Sequence, residues 1–295
     1  MTAKIIDGKQ VAQDIRAELK QEVARLKQKG VVPGLGVILV GDDPASRSYV
    51  TAKEKACEEV GIFSDDNRLP ANTAQKDLIA LVKRMNADPK INGILVQLPL
   101  PKHLDESEVL ISIDPNKDVD GFHPTNVGRM VVGEKAFLPC TPHGVLQLLV
   151  RAGVKIEGAH AVVVGRSNIV GKPLANMLMA KSPMGNATVT VCHTKTKDIG
   201  YYTRQADIVI AAAGRPNTIT AGMIKDGAVV IDVGVNRVED ATKKAGFRLV
   251  GDVDFEGVAQ KASLITPVPG GVGPMTITML LYNTVESAKR AHGVA

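Results

Sequence analysis

A-V-V-V-G-R-S-N-I-V-G-K-P, residues 161–173, is the stretch whose reading decides the fold. Residues 161–164 are small or β-branched and apolar, the pattern of a buried strand. The run breaks at Gly165-Arg166-Ser167, and an apolar helical pattern resumes over 169–179. At a helix start the free backbone N–H groups and the dipole favour an anion, and glycine lets the backbone approach a diphosphate closely. The spacing is G-x-x-x-x-x-G rather than G-x-G-x-x-G. By itself it suits either a dinucleotide turn or a plain strand-to-helix turn, so the neighbouring sequence has to decide.

Three further β-branched runs follow, at 187–192, 206–212 and 228–233, separated by helix-length or turn-rich sequence. This alternation predicts an α/β fold with a parallel sheet covered by helices. In such a sheet the end of the second strand lies near the adenosine ribose, where an NAD site carries an acid for the 2′-hydroxyl. Here that strand runs into C-H-T-K-T-K, residues 192–197, with no acid until Asp198. Arg166, Lys195 and Lys197 are available to meet a 2′-phosphate instead, which favours NADP over NAD. A solvated turn is the other reading of the two lysines.

A chain of 295 residues, 44% hydrophobic, suits one large or two ordinary domains with a real core. No segment approaches the apolar length of a membrane span, and M-T-A-K-I-I-D-G at the start lacks an apolar signal region, so a cytoplasmic protein is expected. Cys57, Cys140 and Cys192 are few and widely spaced, which suits a reducing compartment, and none needs to be catalytic. The six histidines show no close ligand spacing, and no metal is expected. A net charge of +5 with 3% aromatic residues and no tryptophan argues against nucleic acid and fits an anionic small substrate or cofactor.

The first half alternates too. An amphipathic helix spans 8–29, followed by a strand at 35–40. Asp43-Pro44 reads as an N-cap with proline in the first turn of a helix that runs to Gly61. Another helix covers 73–86 and another strand 93–98, ending in the turn Pro99-Leu100-Pro101. Ser46, Tyr49 and Lys53 fall at i, i+3 and i+7, so they share a helix face, with Tyr49 one turn before Lys53. Such a pair supplies a stacking surface and a proton-transfer group, or else an amphipathic tyrosine beside a solvated lysine. Gln97 is a polar residue at the carboxyl end of a strand, where α/β folds place ligands. Asp118 and Asp120 lie in D-V-D-G-F-H, residues 118–123, where acids beside glycine often cap backbone. Near the end, P-G-G-V-G-P at 269–274 reads as a flexible loop entering a helix whose first turn is 274–276.

Together Y-V-T-A-K (49–53), V-Q-L-P-L-P (96–101), D-V-D-G-F-H (118–123), P-C-T-P (139–142), G-R-S-x-x-V-G-x-P (165–173) and P-V-P-G-G-V-G-P-M-T (267–276) are identified with a family. The chain resembles the bifunctional methylenetetrahydrofolate dehydrogenase/methenyltetrahydrofolate cyclohydrolases of the bacterial FolD type, in block order and over nearly its whole length. The resemblance implies oxidation of 5,10-methylenetetrahydrofolate with NADP and hydrolysis of the methenyl product to 10-formyltetrahydrofolate. It implies Lys53 as main catalytic group, Tyr49 stacking on the folate, Gln97 bonding near Lys53, and Asp120 holding the pterin edge. It adds Val96, Leu98, Pro269, Gly270, Gly271, Val272 and Gly273 to the substrate contacts. Gly165, Arg166, Ser167, Thr194 and Val235 are the implied cofactor contacts; at Thr194 many relatives have serine, which also offers a hydroxyl.

The implied architecture is an N-terminal α/β catalytic domain, residues 1–140, a Rossmann-like NADP-binding domain, residues 141–273, and a helix, residues 274–295, returning to the first domain. The cleft between the domains is the expected active site, and a homodimer is expected by analogy. A different two-domain NADP-dependent dehydrogenase of the shikimate type would leave Y-V-T-A-K and Q-L-P-L-P unexplained. A non-catalytic nucleotide-sensing module would leave Lys53, Gln97 and Asp120 unexplained.

Overall fold

In the computed structural model, which describes residues 2–243 and 246–294 apart from the side chain of residue 45, three sheets form. In chain order the strands are β1 (Lys4–Ile5), β2 (Gly34–Val40), β3 (Phe63–Leu69), β4 (Gly93–Val96), β5 (His160–Val164), β6 (Thr188–Cys192), β7 (Ile208–Ala211), β8 (Val229–Asp232), β9 (Asn236–Glu239), β10 (Phe247–Val250) and β11 (Leu264–Ile265). The chain divides into two compact units. One comprises Gln13–Cys140 with Ile277–Ala295, the other Met1–Ala12 with Thr141–Thr276. No helix among the described residues is long and apolar enough to cross a membrane.

The first unit is built on a parallel sheet ordered β3-β2-β4. Its centre, G-L-G-V-I-L-V, is buried at every position, as expected of a parallel strand covered on both faces. Ile38, Val40, Ile94 and Val96 pack with Leu78, Val82 and Met85 of the helix Gln75–Ala87 in one apolar cluster. The helix Pro44–Val60 starts as its sequence dictates: Asp43 Oδ1 accepts from Ser46 N at 2.8 Å, with proline in the first turn. It stops at Gly61, whose φ of 88° suits glycine. The edge strand β3, F-S-D-D-N-R-L, carries Asp65, Asp66 and Arg68, a charged edge that discourages pairing with other chains.

The second unit holds a six-stranded parallel sheet ordered β1-β11-β8-β7-β5-β6. From β5 the chain moves outward to β6 and then crosses back to β7 on the other side. This reversal creates a crevice beyond the carboxyl end of β5, the usual ligand position in an open α/β sheet. Strands β5, β7 and β8 are almost wholly buried, as their valine and isoleucine runs require. An antiparallel hairpin, β9 with β10, completes the unit, with the Arg237 guanidinium 4.8 Å above the Phe247 ring.

Residues 2–12 lie in this second unit, not with the first domain as the sequence division has it. The cause is pairing: Lys4 and Ile5 stand opposite Leu264 and Ile265, and Ala3 packs in the second unit's core with Ala259, Ala262 and Ile265.

Candidate functional site

Lys53 projects from the helix Pro44–Val60 and is only 8% exposed. Its Nζ donates to Gln97 Oε1 at 2.9 Å. Gln97 follows β4 and is fixed twice, since its backbone N donates to Ile38 O at 2.9 Å and its Nε2 to Leu98 O at 2.6 Å. The second bond sets which end of the amide faces the lysine: the oxygen is presented and the nitrogen is occupied. Burial lowers the Lys53 pKa, with Asp120 opposing, and raises that of Asp120, with Lys53 opposing. Both shifts favour the neutral forms, so this lysine is adapted to giving and taking a proton rather than holding a fixed charge. Tyr49 lies one turn earlier on the same helix, 49% exposed, its ring open to a planar partner.

The two acids of D-V-D-G-F-H divide their work. The buried Asp118 accepts from Phe122 N at 3.2 Å, His123 N at 2.9 Å and Asn126 Nδ2 at 2.8 Å, so it is the backbone cap. Gly121, at φ 74°, turns the chain where a Cβ would lie 2.6 Å from Pro139 N. Asp120 is left clear of these donors; it is hydrogen-bonded with the Cys140 thiol and acts on Lys53 through its charge. Behind this turn Asn283 Nδ2, from the helix Gly273–His292, donates to Val119 O at 2.8 Å and Leu138 O at 3.0 Å, a brace that sequence reasoning does not find. Burial raises the Cys140 thiol well above its usual range and pushes Cys57 up to about 12, so neither is a nucleophile at neutral pH. Val96 points into the core cluster, so only its backbone is available to a ligand; Leu98 is partly exposed.

The second unit carries a cavity of about 390 Å³ beyond the ends of β5, β6 and β7, lined by Gly165, Arg166, Ser167, Thr194, Arg215 and Thr218 among others. A Cβ on Gly165, at φ 141°, would lie 2.0 Å from Ala212 O, and one on Gly171 2.2 Å from Gly165 O. The long glycine spacing is thus a backbone-to-backbone turn that admits no side chain at either end. Ser167 Oγ accepts from Val170 N at 3.1 Å and Gly171 N at 3.3 Å, leaving its own hydrogen to donate to an anion. Arginines but no carboxylate line the cavity, a donor set that fits a phosphorylated dinucleotide.

The lining departs from the sequence reading in three ways. It includes neither Lys195 nor Lys197, and Val235, half exposed beyond β8, is not part of it. It gains Arg215, in the turn after β7. The signal was the A-A-A-G-R run at 211–215, a glycine directly after a strand. What holds that turn lies far along the chain: the fully buried Asp252 accepts from Ala213 N at 2.6 Å, Gly214 N at 2.8 Å and Arg215 N at 2.9 Å.

The loop at 269–273 is packed rather than loose, which corrects the flexible loop read from its glycines. Gly270, Gly271 and Val272 are buried, and Pro269 and Gly273 are exposed. Lys9 N donates to Gly270 O at 3.2 Å, and a Cβ on Gly8 would lie 1.8 Å from Gly271 O. Here glycine serves close backbone approach.

Comparison with known proteins agrees over the whole chain. Residues 6–120 match the tetrahydrofolate dehydrogenase/cyclohydrolase catalytic domain, and residues 139–292 match the NAD(P)-binding domain of the same name. The bifunctional protein FolD of Moorella thermoacetica is 60% identical over 290 residues, covering 98% of this chain and all of that one. That of Syntrophus aciditrophicus is 59% identical over 294 residues, with both chains fully covered. Among solved structures, the bifunctional FolD enzyme of Campylobacter jejuni is 53% identical at a TM-score of 0.92, covering 98% of this chain and 99% of that one. The Trypanosoma brucei dehydrogenase-cyclohydrolase, complexed with NADP cofactor and inhibitor, is 44% identical at a TM-score of 0.94, with 99% of each chain covered. The buried lysine with its glutamine and the cationic glycine-turn cavity thus occur in a chain that belongs to the tetrahydrofolate dehydrogenase/cyclohydrolase family.

Proposed function

We propose that this chain oxidises 5,10-methylenetetrahydrofolate to the 5,10-methenyl cation with NADP and hydrolyses that cation to 10-formyltetrahydrofolate. The observation that carries the reading is the buried Lys53, bonded to Gln97 and coupled to Asp120. Gly165, Arg166, Ser167 and Thr194 hold the dinucleotide, whose chemistry, when bound, is to accept the hydride that leaves the one-carbon bridge. For that step the protein need only align the folate, because the ring nitrogens stabilise the cation. Tyr49 offers its ring to the folate, Asp120 meets the pterin edge, and the residues of the 269–273 loop complete the substrate contacts. Val235 belongs to the cofactor contacts on the strength of the family resemblance.

Hydrolysis asks more of the side chains. Gln97 Oε1 orients the Lys53 amine, which takes a proton as the oxygen of water bonds to the methenyl carbon. The same ammonium returns the proton to the ring nitrogen as the carbon–nitrogen bond breaks. The remaining hydroxyl proton leaves to solvent as the formyl group forms. Lysine is suited to both halves because burial lowers its pKa, which eases release of the proton it has taken. The protein acts in the cytoplasm as a homodimer.

The test follows NADPH formation and, at neutral pH with no acid quench, the methenyl species, with purified protein, methylenetetrahydrofolate and either NADP or NAD. Turnover that prefers NADP, with no methenyl accumulation, is expected. Lys53→Met loses hydrolysis by about 100-fold or more while keeping some oxidation. Absence of reduction with either nucleotide would refute the reading, and hydrolysis at the wild-type rate in Lys53→Arg would refute the role of the lysine.

A further inference from the structure

We infer that Arg215 is a determinant of dinucleotide choice, pairing with the 2′-phosphate that distinguishes NADP from NAD. The inference rests on the NADP reading above and adds to it a residue that the glycine turn alone does not supply. Arg215 lines the same cavity as Arg166, Ser167 and Thr194, but it comes from the turn after β7, whereas Arg166 comes from the turn after β5. Two guanidiniums from two strand ends thus meet one cavity, and the end of β6 adds the hydroxyls of Thr194 and Thr196 and the imidazole of His193. Among the described residues, no acid that could accept from a ribose 2′-hydroxyl lines the cavity.

The bland alternative is that Arg215 is a solvated side chain on an exposed turn, and the backbone argues against it. Asp252 is fully buried, and its carboxylate accepts from three consecutive amides, the last being Arg215 N, as well as from Asn236 Nδ2 at 2.8 Å. Thr218 Oγ1 donates to Arg215 O at 2.8 Å. A buried carboxylate held by three backbone donors is a costly device for an idle turn, and it leaves Arg215 with both backbone groups fixed. Its guanidinium makes no hydrogen bond or ion pair among the described residues, and neither does that of Arg166. Two uncommitted planar cations are what a dianionic phosphate ester recruits, since each can bond it in a bidentate fashion.

The test uses the full-length protein and measures Kd for NADP, NAD, 2′,5′-ADP and 5′-AMP by calorimetry, for wild type, Arg215→Met and Arg215→Lys. In Arg215→Met the Kd for NADP and 2′,5′-ADP should rise about tenfold or more, while NAD and 5′-AMP stay within about twofold. Arg215→Lys should recover part of the loss, and circular dichroism of each variant excludes unfolding as the cause. If Arg215→Met keeps the wild-type ratio of NADP to NAD affinity, or weakens both nucleotides equally, the assignment of Arg215 is overturned while the NADP reading stands. If wild type itself binds 2′,5′-ADP no better than 5′-AMP, the NADP reading fails and this inference with it.

Discussion

At Gln97 the amide orientation is decided by one short hydrogen bond to Leu98 O, and the state of Lys53 depends on it. Gln97→Glu would set a carboxylate 2.9 Å from the ammonium, raise the lysine pKa and hold the charge. Hydrolysis at pH 7 should fall about 10- to 100-fold, and the limb of the pH-rate profile belonging to the lysine should move up by about 1 to 3 units. An unmoved limb would show that a different group titrates. His143 makes a separate prediction about stability. Burial holds its imidazole down at about 4, against an ordinary value of 6.5. The unfolded chain therefore takes the proton first, so the contribution of this residue is complete above pH 6.5 and is lost as pH falls to about 4. The loss amounts to about 3 kcal/mol. Urea midpoints measured between pH 7.5 and 4 should drop less in His143→Gln than in wild type, and parallel curves would sink the assignment. Gln97 was legible in the sequence because it is polar where the strand run calls for apolar, and Lys53 because it shares a helix face with Tyr49, one turn away. The division between Asp118 and Asp120 was not legible, because spacing cannot say which of two acids the backbone occupies.

Among the elements, the buried strands β2, β5, β7 and β8 were the most legible, since short runs dominated by valine, isoleucine and leucine admit few other readings. The edge strand β3 was missed, because F-S-D-D-N-R-L offers charges where a covered strand would be apolar. The hairpin β9 with β10 was missed for a related reason: its residues are at most partly buried. Strands β1 and β11, two residues each, are defined only by one another and by β8. The packed 269–273 loop yields a prediction at this scale. In Gly8→Ala, helix propensity favours alanine by at most about 1 kcal/mol at a helix's first residue. The new Cβ would meet Gly271 O at 1.8 Å, a backbone atom that no rotamer change can move. The clash should win, lowering stability by about 1 to 3 kcal/mol. Denaturant titration of the variant checks the sign, and a stabilised Gly8→Ala would mean that the loop is free to shift.

For the whole molecule, the informative feature is that the nucleotide-binding unit draws on both ends of its sequence range. Removing residues 2–5 deletes β1, along with the bonds from Ala3 N to Ala259 O and Lys4 N to Ser263 O. A loss of about 2 kcal/mol is expected, with faster amide exchange at residues 264–265 than in the intact chain. Unchanged exchange there would show that β8 alone holds β11. The same pairing also has a consequence in time. A ribosome delivers Lys4 first and its partner Leu264 about 260 residues later, roughly 10 to 50 seconds at ordinary rates of synthesis. During that interval the opening strand has no partner, so the first piece of the sheet to be made is among the last to be placed.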